Sequence, residues 1–536
     1  MAGLYYLPRV HDDRSPVLVG VGRALGNRDR TVAGAREPLR LVADAVQAAG
    51  ADAGECGVRL LRELDAIAVA HTASWAYDDL PALLAERLAA DPRLRIAAPV
   101  GGHWPAALID AAAARIWAGE TAIELVAGGE ASASITVLER AGVEPGRDLG
   151  WTTAPGGTAR FTPDDLGSPA MQAAGLVLPT RVYPMIDLAY GHAAGETPAE
   201  TMHRGAEIFA GLSRVASTQP TAWHPVERTV ADILAVRPGN RMVCEPYPLA
   251  LNAMPLVDQA AAVLVTSRGL ARERGVPDER MVHVWGGAGA EDAADVLDRP
   301  TLTGSPALCS VFDRVLASAG LTAAELDLVD LYSCFPVVPR LAGRYLGRAA
   351  AELAGATGGH SAYGGPLSSY SLHAVAACAE QVRAGARTAL VHANGGYLTN
   401  HHALVLAAEP HVDGYVGDPQ SHSTAEPGPA ACPLGEAAEH EVTVEAATVE
   451  YDRDGHPAQG FLVARTADGR RLAGCTPAGD AASAHALTVF PAGTGHAPGP
   501  TVVGRVVRVS GVGPHVRVDP LVPVEALDRH VQRARQ

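Results

Sequence analysis

Three side chains able to do chemistry stand together in Asp330-Leu331-Tyr332-Ser333-Cys334-Phe335-Pro336. A phenol can donate to a thioester or ketone oxygen, or act as a base if its pKa falls, and a thiol tuned by its neighbours can act as general acid or base. Tyr370 and His373 lie three apart, which on a helix puts them on one face as a base and its orienter. Tyr332, Cys334, Tyr370 and His373 are therefore the candidate catalytic residues. Three glycine-rich stretches offer backbone that a ligand can approach closely: Gly101-Gly102-His103-Trp104-Pro105, Gly358 to Pro366, and Asn394-Gly395-Gly396-Tyr397. Within them Gly101, Gly102, His103, Gly364, Gly365, Gly395, Gly396 and Tyr397 are the candidate ligand-binding positions.

Composition excludes several other chemistries. The chain has 536 residues, a formal charge of -16 and no basic run, which speaks against nucleic acid or an anionic membrane surface as the main partner. It contains no lysine, so all 43 basic residues are arginine, and Schiff-base catalysis, a pyridoxal-phosphate anchor and the phosphate-loop lysine are ruled out together. Seven cysteines are scattered and never spaced CxxC, so they read as reduced thiols; with no zinc-type histidine spacing, no metal site is expected. No signal peptide and no uninterrupted apolar span stand out, and the expected location is the cytoplasm.

The elements that must position these residues follow from periodicity. Residues 17–22 read as a strand. Gly20, Gly22 and Gly26 form a GxGxxxG, but helical periodicity begins only near residue 37, so the helix N-terminus that a pyrophosphate needs is lacking and a dinucleotide site is set aside. A helix at 37–49, a strand at 65–70 and a helix at 80–88 come next. An alanine-rich helix at 106–117 turns at Ala118-Gly119 into a strand at 120–127 that meets Gly128-Gly129-Glu130. Farther along, a helix at 374–383, Ala384-Gly385, a strand at 388–393 and Gly395-Gly396 repeat that order, which predicts a duplicated α/β domain. A buried helix at 257–267, a strand at 282–285, a helix at 307–318 and a strand at 328–332 complete the second half. Tyr332 and Cys334 then sit at the carboxyl end of a strand, where open α/β sheets place ligands.

The long Pro-, Gly- and aromatic-rich segment 136–242 reads as an inserted subdomain covering the site. The expected division is 1–250 for the first half with its insertion, 251–409 for the second, 410–440 for a linker and 441–536 for an all-β module. Short strands at 441–451, 460–466, 470–474, 487–490 and 501–507 suit a five-stranded OB-type barrel.

At this point the motifs resemble the thiolase superfamily, in its sterol-carrier-protein-2-type, thiolase-like branch (type 1) with an additional C-terminal domain. The residues that carry the resemblance are Ala118-Gly119-Glu120 through Gly128-Gly129-Glu130, Asn240-Arg241-Met242, Val257-Asp258-Gln259-Ala260-Ala261-Ala262, Asp330 to Pro336, Gly364-Gly365-Pro366, Tyr370 with His373, and Gly395-Gly396-Tyr397-Leu398-Thr399. The resemblance implies two βαβαβαββ halves with coenzyme A or an acyl-CoA bound at their junction under the inserted subdomain, and no covalently held cofactor.

It also implies four catalytic side chains, each replaced here. The nucleophilic cysteine at the start of helix 106–117 falls on Gly102. The histidine of His-Asp-Cys-Phe falls on Tyr332, with Cys334 kept. The histidine of Gly-His-Pro falls on Gly365, and the cysteine of Cys-x-Gly on Ala393. A glycine forms no acyl-enzyme, so ping-pong thiolysis is not expected. Three readings stay open: a step on the acyl-CoA carbon skeleton, of aldol or retro-aldol type; a non-catalytic acyl-CoA or lipid binder; and an acyltransferase whose nucleophile comes from a partner or from the coenzyme. A related branch pairs tyrosine-based retro-aldol chemistry with a separate OB-fold partner, which the β-module resembles in cis. The module is expected to cover the surface thiolases use for dimers and leave a monomer.

Overall fold

The computed structural model describes residues 13–152, 167–432, 438–489, 501–512 and 515–518. Its strands, in chain order, are β1 (Pro16–Leu25), β2 (Ala66–Val69), β3 (Leu94–Ala97), β4 (Ile123–Ala131), β5 (Met242–Cys244), β6 (Tyr247–Pro248), β7 (Asp258–Ser267), β8 (Val282–Glu291), β9 (Leu328–Leu331), β10 (Thr388–Gly395), β11 (Asn400–Ala407), β12 (Asp418–Ser423), β13 (Ala438–Tyr451), β14 (Pro457–Thr466), β15 (Arg471–Cys475), β16 (Val506–Val512) and β17 (His515–Val518). The first eleven, without β5 and β6, line up as β3-β2-β4-β7-β1-β8-β11-β10-β9.

That order is a repeat. In the first half β2 runs parallel to β3 and β4, while β7 lies antiparallel between β4 and β1. In the second half β9 is parallel to β10, and β11 lies antiparallel between β10 and β8. Two residue pairs, Val17 with His283 and Leu18 with Val282, join the halves into one sheet. The second copy has four of these strands to the first copy's five. The turns that enter β4 and β10 are equivalent, each with a glycine at positive φ: Gly119 at 76° and Gly385 at 121°. Helices Trp104–Ala118 and Tyr370–Arg383 pack on each other and touch strands of both halves, so they form the central layer.

One element differs in kind from its expectation. The alanine-rich segment expected as a helix at 257–267 is β7, paired along its length to β1 on one side and β4 on the other. Alanine favours helix on an isolated chain, but here small side chains let both faces of a central strand be covered, and tertiary pairing overrides propensity. Gly20 and Gly22 have a packing reason instead of a cofactor. A Cβ at either would stand 2.1 Å from the Ala49 or Ala45 carbonyl oxygen of helix Pro38–Asp52.

Helices Pro179–Ala193 and Pro198–Ser217 of the insertion lie over the site. Arg340 of helix Val337–Tyr345 pairs with Asp187 and with Glu196, locking the insertion to the second half. Within the stretch 410–440, β12 runs parallel to β8. The C-terminal module closes into a barrel in the order β13-β14-β15-β17-β16-β13, antiparallel except for the β15–β17 pair. This is the closed all-β module expected, reached with different pieces. Residues 487–489 are not a strand but follow helix Ala481–Ala486, residue 490 lies outside the described residues, and β17 supplies the fifth strand. No helix among the described residues is long and apolar enough to cross a membrane.

Candidate active site

Tyr332 follows β9 directly, its N–H donating to the His392 carbonyl on β10 at 3.1 Å. The buried Asp330 two residues earlier fixes what faces it. Its Oδ2 accepts from Ala356 N at 2.8 Å, Thr357 N at 3.0 Å and Thr357 Oγ1 at 2.9 Å, which ties down the approach to the glycine-rich stretch Gly358 to Pro366. That stretch makes a wide helical turn, Gly359–Tyr363, pressed under helix Pro198–Ser217. Gly358 is required at this contact: its φ is +107°, and a Cβ would lie 2.6 Å from Ala216.

The turn delivers a residue that the sequence reading passed over. His360 stacks on Tyr370, with ring centroids 3.4 Å apart at 24°, and its ring lies 4.2 Å from that of Tyr332. Tyr370 meets Tyr332 edge-on at 5.6 Å. Gly365 directs its missing side chain toward His360, whose Cδ2 is 3.4 Å from where a Cβ would stand. The His360 imidazole, from five residues upstream, thus lies beside position 365. The signal was present as a histidine inside a glycine-rich stretch, but its reach depends on the turn. His360 Nδ1 lies 3.3 Å from Ser333 Oγ, and its Nε2 is buried without a hydrogen-bond partner among the described residues.

Tyr370 and His373 do not form the pair expected from their spacing. The partner of His373 Nδ1 is Tyr363 Oη at 2.9 Å, and Tyr363 Oη also meets Thr221 Oγ1 at 2.8 Å. Both Tyr370 and His373 are buried, at 1 % and 0 % exposure, whereas Tyr332 is 7 % exposed and Cys334 partly exposed.

Gly102, His103, Asn394 and Gly395 do come together. A Cβ on Gly102 would lie 2.1 Å from Tyr332 Oη and 2.6 Å from the Asn394 carbonyl oxygen, and one on Gly395 would lie 2.3 Å from His103 Nδ1. Gly101 N donates to Ser368 Oγ at 3.1 Å, and the Gly102 carbonyl accepts from Ser371 Oγ at 2.7 Å. Gly364 faces the Gln259 side chain. Gly396 presents its carbonyl to Tyr183 Oη at 2.7 Å, and Tyr397 donates its hydroxyl to the Val177 carbonyl at 2.6 Å, away from the cluster of Tyr332 and His360.

Tyr183 is the second residue missed. It reaches in from helix Pro179–Ala193, accepts from Asn394 Nδ2 at 2.9 Å, stacks at 4.6 Å on Phe335, the chain neighbour of Cys334, and works to lower the pKa of that thiol. It sat in the aromatic-rich insertion, with no motif to separate it from its neighbours.

Burial sets the protonation of every member. Desolvation raises Tyr332, Tyr370 and Tyr183 well above 10, and raises Cys334 to about 12 against weaker opposing hydrogen bonds from Tyr183 and Asn394. It lowers His360 well below 6.5 and puts His373 and His103 at about 3. At neutral pH the site therefore holds protonated phenols, a thiol and neutral imidazoles. It offers hydrogen-bond donors and unpartnered imidazole nitrogens on His360, His373 and His103, but no thiolate. No group of three or more His, Cys, Asp or Glu suited to a metal ion occurs among the described residues.

Residues 420–497 match the family model described as the thiolase-like protein type 1 additional C-terminal domain. The crystal structure of a monomeric SCP2-thiolase like protein type 1 from Mycobacterium smegmatis matches 95 % of this chain and 99 % of its own, with a TM-score of 0.75 and 26 % identity. The chain is therefore similar to type 1 thiolase-like proteins over nearly its whole length, with the family model itself confined to residues 420–497. An acetyl-CoA acetyltransferase from Methanothermobacter thermautotrophicus (strain Delta H) is 31 % identical over 132 residues, 25 % of this chain and 32 % of that protein, so the chain spans about a third of this curated relative. The Ltp2-ChsH2(DUF35) aldolase shares the fold at a TM-score of 0.56 and 20 % identity, over 74 % of this chain and 98 % of its own. In this thiolase-like chain the position where the superfamily resemblance implies a nucleophilic cysteine, Gly102, is filled from across the site by Tyr332 Oη.

Proposed function

We propose that this protein binds coenzyme A esters and makes or breaks a carbon–carbon bond next to the thioester without an acyl-enzyme, in an aldol or retro-aldol step. The observation that carries this reading is the Tyr332 hydroxyl standing 2.1 Å from where a side chain on Gly102 would begin. A protonated donor occupies the space of a nucleophile. The partial likeness to an acetyl-CoA acetyltransferase supports the choice of ligand.

In the cleavage direction a β-hydroxyacyl thioester loses its hydroxyl proton to a base. The Cα–Cβ electron pair moves onto Cα and the thioester oxygen, the β carbon departs as a carbonyl compound, and the enolate takes up a proton at Cα. Tyr332 donates to the developing oxyanion, and its high pKa keeps the donor in place at neutral pH. His360 accepts the hydroxyl proton at its unpartnered Nε2. Cys334, a thiol at about 12, serves as a proton donor near the enolate, and Tyr370 holds His360 by stacking. His373 orients the turn through Tyr363. The protein acts as a cytoplasmic monomer in this reading.

The burial of Tyr370 and His373 favours a second reading, a non-catalytic acyl-CoA binder whose chemistry is lost. Incubation with β-hydroxyacyl-CoA and β-ketoacyl-CoA esters, with products followed by mass, separates the two. Release of a carbonyl compound and a shortened acyl-CoA, abolished by Tyr332→Phe, supports the first. Tight binding with intact ester establishes the second, and absence of any binding to acyl-CoA overturns both.

A further inference from the structure

Helix Pro179–Ala193 works on two faces. One carries Tyr183 into the site, against Asn394, the Gly396 carbonyl and Cys334. The other carries Arg181, two residues earlier and so about 200° away around the helix. Arg181 Nη2 donates to Glu450 Oε2 of β13 at 2.8 Å, and its guanidinium lies 4.4 Å from the Phe461 ring centroid on β14. Both partners belong to the C-terminal barrel. The pair is mostly shielded from water, where an ion pair with a cation–π contact holds geometry better than it does on an open surface.

A second line runs from the barrel to the same tyrosine. Glu245, buried between β5 and β6, accepts from Tyr451 Oη at 2.5 Å and from Val489 N at 2.8 Å, and Thr488 also donates to it. On β6, Tyr247 donates to Asp187 Oδ2 of helix Pro179–Ala193 at 2.6 Å. Its ring stacks on Phe335 at 6.2 Å, and Phe335 stacks on Tyr183. Two chains of contact, one through an ion pair and one through a buried carboxylate, thus converge on one side chain.

We propose that the C-terminal barrel is a working part of the site: by gripping helix Pro179–Ala193 at Arg181 and the β5–β6 hairpin at Glu245, it holds Tyr183 over Cys334 and the end of β10. Arg181 and Glu450 are positioning residues; neither touches the candidate catalytic cluster. These contacts hold whichever reaction the site performs.

The test is the alkylation rate of Cys334 by iodoacetamide in the full-length protein, resolved by peptide mass, with the partly exposed Cys309 of helix Pro306–Ala319 as internal reference. Tyr183→Phe, which removes the hydroxyl that favours the thiolate, is the positive control and slows the reaction. Glu450→Gln and Arg181→Gln each lower the Cys334 rate about five-fold or more while the Cys309 rate stays within about two-fold, and the charge-swapped double variant Arg181→Glu/Glu450→Arg restores the wild-type rate. An unchanged Cys334 rate in both single variants, with Tyr183→Phe slower, overturns the coupling. A rise at both Cys334 and Cys309 also overturns it, because that is general loosening rather than a specific grip.

Discussion

At residue 102 there is no side chain, and the space one would take is already full. Gly102→Ala places a methyl 2.1 Å from Tyr332 Oη and 2.6 Å from a backbone oxygen, so it destabilises the protein by about 1–3 kcal/mol in denaturant unfolding. The cost falls in a Tyr332→Phe background, which removes the nearest atom; an equal cost in both backgrounds would show that the hydroxyl does not fill the gap. Cys334 gives a second prediction at this scale. With its thiol at about 12 rather than near 8.5, its alkylation rate climbs steadily from pH 7 to pH 11. A plateau by pH 9 would mean an ordinary, solvated thiol. Of the residues singled out from sequence, Tyr332 and Cys334 were legible because a compact motif at a strand end names its own position. His360 and Tyr183 were not, since their approach depends on a wide turn and on a helix arriving from the insertion.

Among the elements, legibility followed how far local pattern agreed with tertiary context. The expected helix at 80–88 matches helix Leu80–Leu88, and helix Trp104–Ala118 and β10 are close to their expected bounds, because amphipathic spacing and flanking glycines agree with where the packing puts them. β7 broke the rule: an alanine run carries no face, and only its two neighbouring strands make it extended. In the barrel the strands expected at 441–451, 460–466 and 470–474 were legible as short alternating runs, whereas residues 487–489 form no strand and β17 supplies the fifth. At the end of β4, buried Glu130 accepts from Ala73 N and Ser74 N at 2.8 Å each, and burial raises its pKa to about 7. Its folded value exceeds the unfolded value near 4.3, so its contribution to stability is complete below that pH and is lost as pH rises through 7. Between pH 5 and pH 8 the wild type therefore loses more stability than Glu130→Gln in parallel urea titrations; identical slopes would contradict this.

For the whole molecule, one fold carries two features that belong together. Two duplicated halves share one sheet, tyrosines and a histidine gather at their junction, and a barrel grips the insertion that delivers one of those tyrosines. The ion pair and buried carboxylate across that junction make removal of the barrel costly: a chain ending at residue 432 leaves Glu245 without Tyr451 and Val489, and it is expected to lose cooperative unfolding. Light scattering of the full chain is expected to give a monomer, and a stable dimer would contradict the role assigned to the barrel in covering that surface. The most direct test of the central claim is the intact mass of the protein, acid-quenched while it is saturated with acyl-CoA as judged by calorimetry. The account predicts bound ester and an unmodified chain. A protein heavier by one acyl group would show a covalent intermediate and contradict it.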